Sequence, residues 1–72
     1  MNVNGVKLVD IGTHEEDESF LLPDRRYCID KTGNDGQEAY ILLRRVYRDE
    51  WEEVVYGPSI SSLVNDWVNM LR

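Results

Sequence analysis

The sequence predicts an α+β fold: an antiparallel β-meander of three to four strands with one C-terminal amphipathic helix packed on one face. Three observations lead there. Between residues 25 and 56, segments rich in Tyr, Ile, Leu, Val and Trp alternate with short clusters of turn formers. From Ser59 onward, apolar residues recur at helical spacing. The length of 72 residues then sets the scale: one domain, with a thin core, because a chain this short buries only about 60% of the surface it exposes when unfolded. A deep substrate cleft does not fit that volume.

Residues 1–24 read as an irregular N-terminal strand followed by an acidic loop. Val6, Leu8, Val9 and Ile11 form a short strand after the Asn4-Gly5 turn signal. His14, Glu15, Glu16, Asp17 and Glu18 have no apolar periodicity and read as a solvated loop. In Phe20-Leu21-Leu22-Pro23, the proline excludes a central strand at its own position and pushes Leu22 toward an extended conformation. Phe20 to Leu22 then act as an apolar latch returning the loop to the core.

Residues 25–56 form the meander. A strand over 25–30 leads into Lys31-Thr32-Gly33-Asn34-Asp35-Gly36, which is dense in turn formers. A long strand covers 38–48, Arg48-Asp49-Glu50 is a polar turn, and a third strand covers 51–56. Gly57-Pro58-Ser59 breaks the sheet. Ser59 is a helix N-cap whose hydroxyl accepts from the amide of Ser61 or Ser62. Over 59–72, Ile60, Leu63, Val64, Trp67, Val68 and Leu71 make one apolar stripe, opposite Asn65, Asp66 and Asn69. Arg72 places a cation at the negative end of the helix dipole.

Strict alternation along the long strand puts Ala39, Ile41, Leu43, Arg45 and Tyr47 on one face and Tyr40, Leu42, Arg44, Val46 and Arg48 on the other. On the third strand it groups Val54 with Tyr56, and Trp51 with Val55. Both faces carry large apolar groups, whereas a sheet with one solvated face alternates cleanly. One helix covers one face, so the second is covered by Phe20 to Leu22 or by a partner. Tyr40, Leu42 and Trp51, rimmed by Arg44, Arg48 and Glu53, have the composition of an interface hot spot.

The charge balance narrows the partners. Eight basic against 14 acidic residues give −6, which repels a nucleic-acid backbone and favours a basic protein. Its common use is solubility. A sharper reading joins Glu15, Glu16, Asp17 and Glu18 with Asp49, Glu50, Glu52 and Glu53 into a surface that imitates DNA phosphates. Six of the eight basic residues are Arg, which suits fixed ion pairs. Arg25-Arg26 and Arg44-Arg45 fall on adjacent strands, where cross-strand pairing with Glu52 and Glu53 is the usual role and a phosphate or carboxylate site the alternative.

Catalytic and metal chemistry find little support. His14 with the carboxylates after it lacks EF-hand or zinc-ligand spacing. Cys28, the only cysteine, lies mid-strand like a small buried hydrophobe, so neither an intramolecular disulfide nor a pairing with His14 is expected. Asp30 and Glu38 have no pocket in which to raise a pKa. The glycine pair around Asn34-Asp35 lacks the Lys-Ser/Thr ending of a phosphate loop. No enzyme activity, cofactor or metal is expected. No apolar run approaches the roughly 18 residues that cross a membrane, and the N-terminus lacks a signal-peptide pattern, so a cytoplasmic protein without membrane contact is expected.

The meander followed by Tyr56-Gly57-Pro58-Ser59 and a short amphipathic helix resembles, over residues 25 to 72, small acidic accessory proteins encoded by bacteriophages and prophages. The resemblance is one of size, acidity and layout. It implies a binder that engages or inhibits a host protein and carries over no functional residue. The expected function is therefore a small acidic protein-binding module. The alternatives are a nucleic-acid mimic or anti-defence inhibitor, aimed at a host nucleic-acid enzyme or defence complex, and a structural homodimer.

Overall fold

The structure, a computed structural model, describes residues 1–12 and 18–72. The chain opens with a hairpin of β1 (Asn2–Val3) and β2 (Val6–Lys7), joined by Asn4 and Gly5 at φ +53° and +80°. Two successive left-handed residues are what a type I′ turn requires, and Asn-Gly adopts them at low cost.

Five further strands form one antiparallel sheet in sequence order: β3 (Val9–Asp10), β4 (Ser19–Leu21), β5 (Tyr27–Lys31), β6 (Tyr40–Tyr47) and β7 (Glu50–Gly57). The C-terminal helix α1 spans Ile60–Met70. The fold is α+β as expected, but the described residues form seven strands in two sheets rather than three to four.

Phe20 and Leu21 account for part of the difference. Phe20 and Leu22 do return to the core, but Phe20 and Leu21 lie in strand β4, paired with β3 on one side and β5 on the other. Pro23 does not interfere because it falls past the end of β4, in the turn to β5. There the Leu22 amide donates to the Tyr27 carbonyl (3.0 Å) and the Arg25 amide to the Leu22 carbonyl (2.9 Å). Arg25 takes φ +60° in that turn, a conformation that costs a side-chain-bearing residue about 1 kcal/mol. Glu38 is also displaced from its expected strand. It ends a single 3₁₀ turn, Gly36–Glu38, held by the Thr32 hydroxyl donating to the Glu38 carbonyl.

The core lies between one face of the sheet and α1. Phe20, Ile29, Leu42 and Val55 form a row across four strands in direct register. Ile29 and Leu42 are fully buried beneath Leu63, Val64 and Trp67 of α1. Leu8 and Leu22 complete the core, with Val3 and Val6 of the N-terminal hairpin packed against it. Residues 1–8 thus cover the helix side of the molecule and not the opposite face.

Three local contacts seat α1. Ser59 Oγ accepts from the Ser62 amide (3.1 Å), the expected N-cap. Trp67 Nε1 donates to Asp24 Oδ2 (3.1 Å) in the β4–β5 turn, so its indole is buried with its polar edge satisfied. Gly57 lets the helix start lie directly on the end of β7: a Cβ there would stand 2.8 Å from both Leu63 Cδ2 and Ser62 Oγ. No helix among the described residues is long and apolar enough to cross a membrane.

Candidate protein-binding hairpin

β6 and β7 are eight residues each, yet the rest of the molecule supports only part of them. β5 pairs with β6 as far as Tyr27 opposite Arg44, and the Arg45 amide donates to the Arg26 carbonyl (2.7 Å). Beyond that point β7 is the only strand beside β6 among the described residues. Residues 44–50 and 52–54 are exposed, and Trp51 alone is half-buried. The hairpin continues past the body of the domain as a two-stranded arm.

An isolated two-stranded hairpin is marginal in water, so this arm depends on its own cross-strand pairs. Arg44 and Glu52 are register partners and form an ion pair. Arg45 and Trp51 are also partners, with the guanidinium 4.9 Å from the ring centre. Arg48 lies 5.9 Å from the Tyr47 ring. Tyr56 donates its hydroxyl to Glu53 Oε2 (3.1 Å), and that hydrogen bond raises the phenol pKa above its ordinary value. At the tip, Tyr47 pairs with Glu50 across Arg48 and Asp49, neither of which takes a left-handed φ. The tip therefore lacks a primed turn, and an extra residue at Val46 provides a bulge with the added twist.

A second bulge, at Val54, decides which side chains share a face. Leu42 pairs with Val55, but Leu43 pairs with Glu53, so Val54 is the additional residue. It reverses the alternation of β7. Trp51 and Glu53 share a face with Tyr56 and not with Val55.

The expected patch of Tyr40, Leu42, Arg44, Arg48, Trp51 and Glu53 is accordingly divided. Tyr40 is half-buried against the core and Leu42 is fully buried under α1, so the helix occupies the face expected to bind a partner. Arg44 follows them on that face, beyond the core. Trp51 and Glu53 lie on the opposite face, and Arg48 lies in the tip. What the arm brings together instead is Arg45, Trp51, Glu53 and Tyr56 on the helix-free face, with Val46, Tyr47 and Val54 exposed at the bulges and tip. Their exposure is substantial: Tyr47 63%, Val46 49%, Val54 and Tyr56 39% each. The signal for the Val54 bulge was the consecutive Glu52-Glu53 and Val54-Val55-Tyr56, which no period-two pattern can satisfy.

Asp49, Glu50, Glu52 and Glu53 are all exposed on the arm, interleaved with Arg44, Arg45 and Arg48. Glu18 is exposed elsewhere. His14, Glu15, Glu16 and Asp17 lie outside the described residues. The arm is thus a mixed-charge surface whose aromatic and Arg side chains are the types interfaces favour.

Cys28 is buried on the helix-free face of β5 as a free thiol. Burial, and then the charge and hydrogen bond of Asp30 3.8 Å away, push its pKa up to about 12. It remains a thiol at neutral pH and is a poor nucleophile. Asp30 also accepts the Ser19 hydroxyl. No group of three or more His, Cys, Asp and Glu side chains among the described residues is arranged to hold a metal ion. The two arginine pairs separate: Arg26, Arg44 and Arg45 line one cleft, and Arg25 lines another with Lys7, Val9, Leu21, Leu22 and Pro23.

No family model matches the chain, and no curated protein or solved structure shows significant similarity to it.

Proposed function

We propose that the chain is a protein-binding module that engages its partner through the β6–β7 arm, with Trp51, Tyr47, Tyr56 and the nearby arginines as contact residues. One observation carries this reading: an arm bearing exposed Val46, Tyr47, Val54 and Tyr56 extends past the only core the described residues build. Aromatic and Arg side chains are the usual anchors of protein interfaces. The resemblance to phage accessory proteins adds a host protein as the expected partner.

The test compares capture from the source cell's lysate by the tagged wild-type chain and by Trp51→Ala and Tyr47→Ala. Trp51→Ala is expected to cost about 1 kcal/mol or less of folding stability, the worth of one exposed cation–π contact. It should cut partner affinity roughly 30-fold, the loss of a 2 kcal/mol hot spot. A protein retained by wild type and lost from both variants, each still folded with a cooperative thermal transition, supports the proposal. Identical capture by all three chains, or none, overturns it. A partner lost on Glu50→Lys with Glu52→Lys but kept by Trp51→Ala would replace it with acidic mimicry. A self-associated dimer in sedimentation, dissociated by Tyr47→Ala, would keep the arm and make a second copy its partner.

A further inference from the structure

A cleft of about 300 Å³ lies beside β3, at the edge of the sheet away from the arm. It is lined by Lys7 of β2, Val9 of β3, Leu21 of β4, and Leu22, Pro23 and Arg25 of the turn into β5. Its volume stands at the lower end of small-molecule sites. In a chain of net charge −6, this lining carries two cations and no carboxylate. Lys7 and Arg25 form no ion pair among the described residues. The two carboxylates next to the lining in sequence are engaged elsewhere. Asp10 Oδ1 accepts from the Gly12 amide (2.9 Å). Asp24 accepts from the Arg26 amide (2.9 Å) and the Trp67 indole (3.1 Å).

The other four lining residues are apolar. Val9 and Leu21 are register partners on the helix-free face, so α1 does not cover them, and Val9 is 53% exposed. Arg25 adds a second sign. It holds φ +60°, a conformation that Gly and Asn take at the lowest cost, so the turn itself does not call for an arginine. A cation at the rim of the cleft gives that choice a use.

We propose that this cleft binds a small organic carboxylate with a compact apolar body, Lys7 and Arg25 taking the carboxylate and Val9, Leu21 and Pro23 the body. A carboxylate offers two oxygens to arginine's planar fork, while lysine adds a point charge. The apolar floor then selects acids with an apolar body over smaller anions. None of these residues belongs to the β6–β7 arm, so loss of partner capture in Trp51→Ala does not bear on this site.

The experiment is a titration of the ¹⁵N-labelled chain with phenylpropanoate, phenylpropanol, phenylpropylamine and acetate, at neutral pH and constant ionic strength set by chloride. For the acid, saturable shifts at the amides of Lys7, Val9, Leu21, Leu22 and Arg25 are expected, with a dissociation constant of about 1 mM. The alcohol keeps the body without the charge and should bind about tenfold more weakly. The amine and acetate should not saturate. Arg25→Asn removes the guanidinium and leaves a residue suited to φ +60°, so the variant is expected to fold. It should weaken the acid about tenfold and leave the alcohol unchanged, a pattern that a merely structural change does not give. Lys7→Gln repeats the test from an exposed position. Equal affinity for the acid and the alcohol, or for the acid and the amine, overturns recognition of the carboxylate. Equal affinity for the acid and acetate overturns recognition of the body. Shifts that do not saturate with the acid, or acid affinity unchanged in both Arg25→Asn and Lys7→Gln, overturn the site altogether.

Discussion

The two halves of β6 belong to one continuous strand and finish in opposite environments. Tyr40, Ile41, Leu42 and Leu43 are buried or half-buried between β5 and β7, with Tyr40 and Leu42 turned toward α1. Arg44, Arg45, Val46 and Tyr47 continue the same strand with the same β7 partner and are exposed. What changes is the number of neighbours. β5 ends its pairing opposite Arg44, and the core stripe of α1 covers only the row of Phe20, Ile29, Leu42 and Val55. Stability in the first half comes from layered burial. In the second half it comes from side chains paired across a ladder, which are worth little individually. A strand can thus serve as core at one end and as a presented surface at the other.

The largest expected effect tests that division directly. Leu42→Ala should destabilise the domain by about 3 kcal/mol, while Tyr47→Ala should change stability by less than about 0.5 kcal/mol, as read from urea unfolding. A core of this size supplies only roughly 3–5 kcal/mol, so Leu42→Ala is expected to leave the chain largely unfolded at 37 °C. Equal losses in the two variants would mean that the arm is part of the core.

A second substitution probes where the body is closed. Gly57→Ala places a methyl group 2.8 Å from Leu63 Cδ2 and from Ser62 Oγ, and Leu63 is fully buried. The start of α1 has to shift, at an expected cost of about 1–3 kcal/mol in thermal or denaturant unfolding. A neutral result would show that α1 does not press on β7 there.

The smallest effect concerns the helix-free face of the body. Cys28 has its pKa raised from the ordinary 9.0 to about 12, so the folded state holds its proton more tightly than the unfolded chain. The stabilisation is complete below pH 9 and is lost as pH rises from about 9 to about 12. Cys28→Ala should flatten that part of the stability–pH curve, followed by circular dichroism in denaturant. Tyr56 in the exposed hairpin, whose pKa is raised by its hydrogen bond to Glu53, serves as the contrast. An unchanged slope in Cys28→Ala would place the alkaline loss outside β5.

Much of this architecture was legible in the residues. Helix α1 follows from Ile60, Leu63, Val64, Trp67 and Val68 behind the Ser59 cap, because a 3.6-residue stripe admits one reading. The Asn4-Gly5 turn was legible as a turn, but Asn2 and Val3 are too few to show a strand period. Phe20 and Leu21 escaped because Pro23 argues against a strand at its own position and says nothing of residues two and three places earlier. The candidate surface was half legible. Trp51, Glu53, Arg44 and Arg48 do belong to the arm, but Tyr40 and Leu42 belong to the core. The division turns on the single added residue at Val54, which reverses every side chain after it. Arg45 and Tyr56 were therefore assigned no role beside Trp51, although the ladder places all three on one face.

Asn4 carries a consequence for how the molecule assembles. Its Nδ2 donates to the Ser61 carbonyl and hydroxyl and to Asn65 Oδ1, joining positions 57 and 61 residues apart. The meander closes through neighbouring strands and needs only short loops, whereas these bonds close the longest loop in the chain, and their acceptors exist in place only once α1 has formed on the sheet. Loop closure on that scale carries the largest entropy cost in the fold for a few exposed hydrogen bonds. The first eight residues are accordingly expected to dock late in folding. The N-terminal hairpin is thus a clasp that carries part of the core with it, and its opening exposes Val3, Val6 and Leu8 together with the core residues that Leu8 covers.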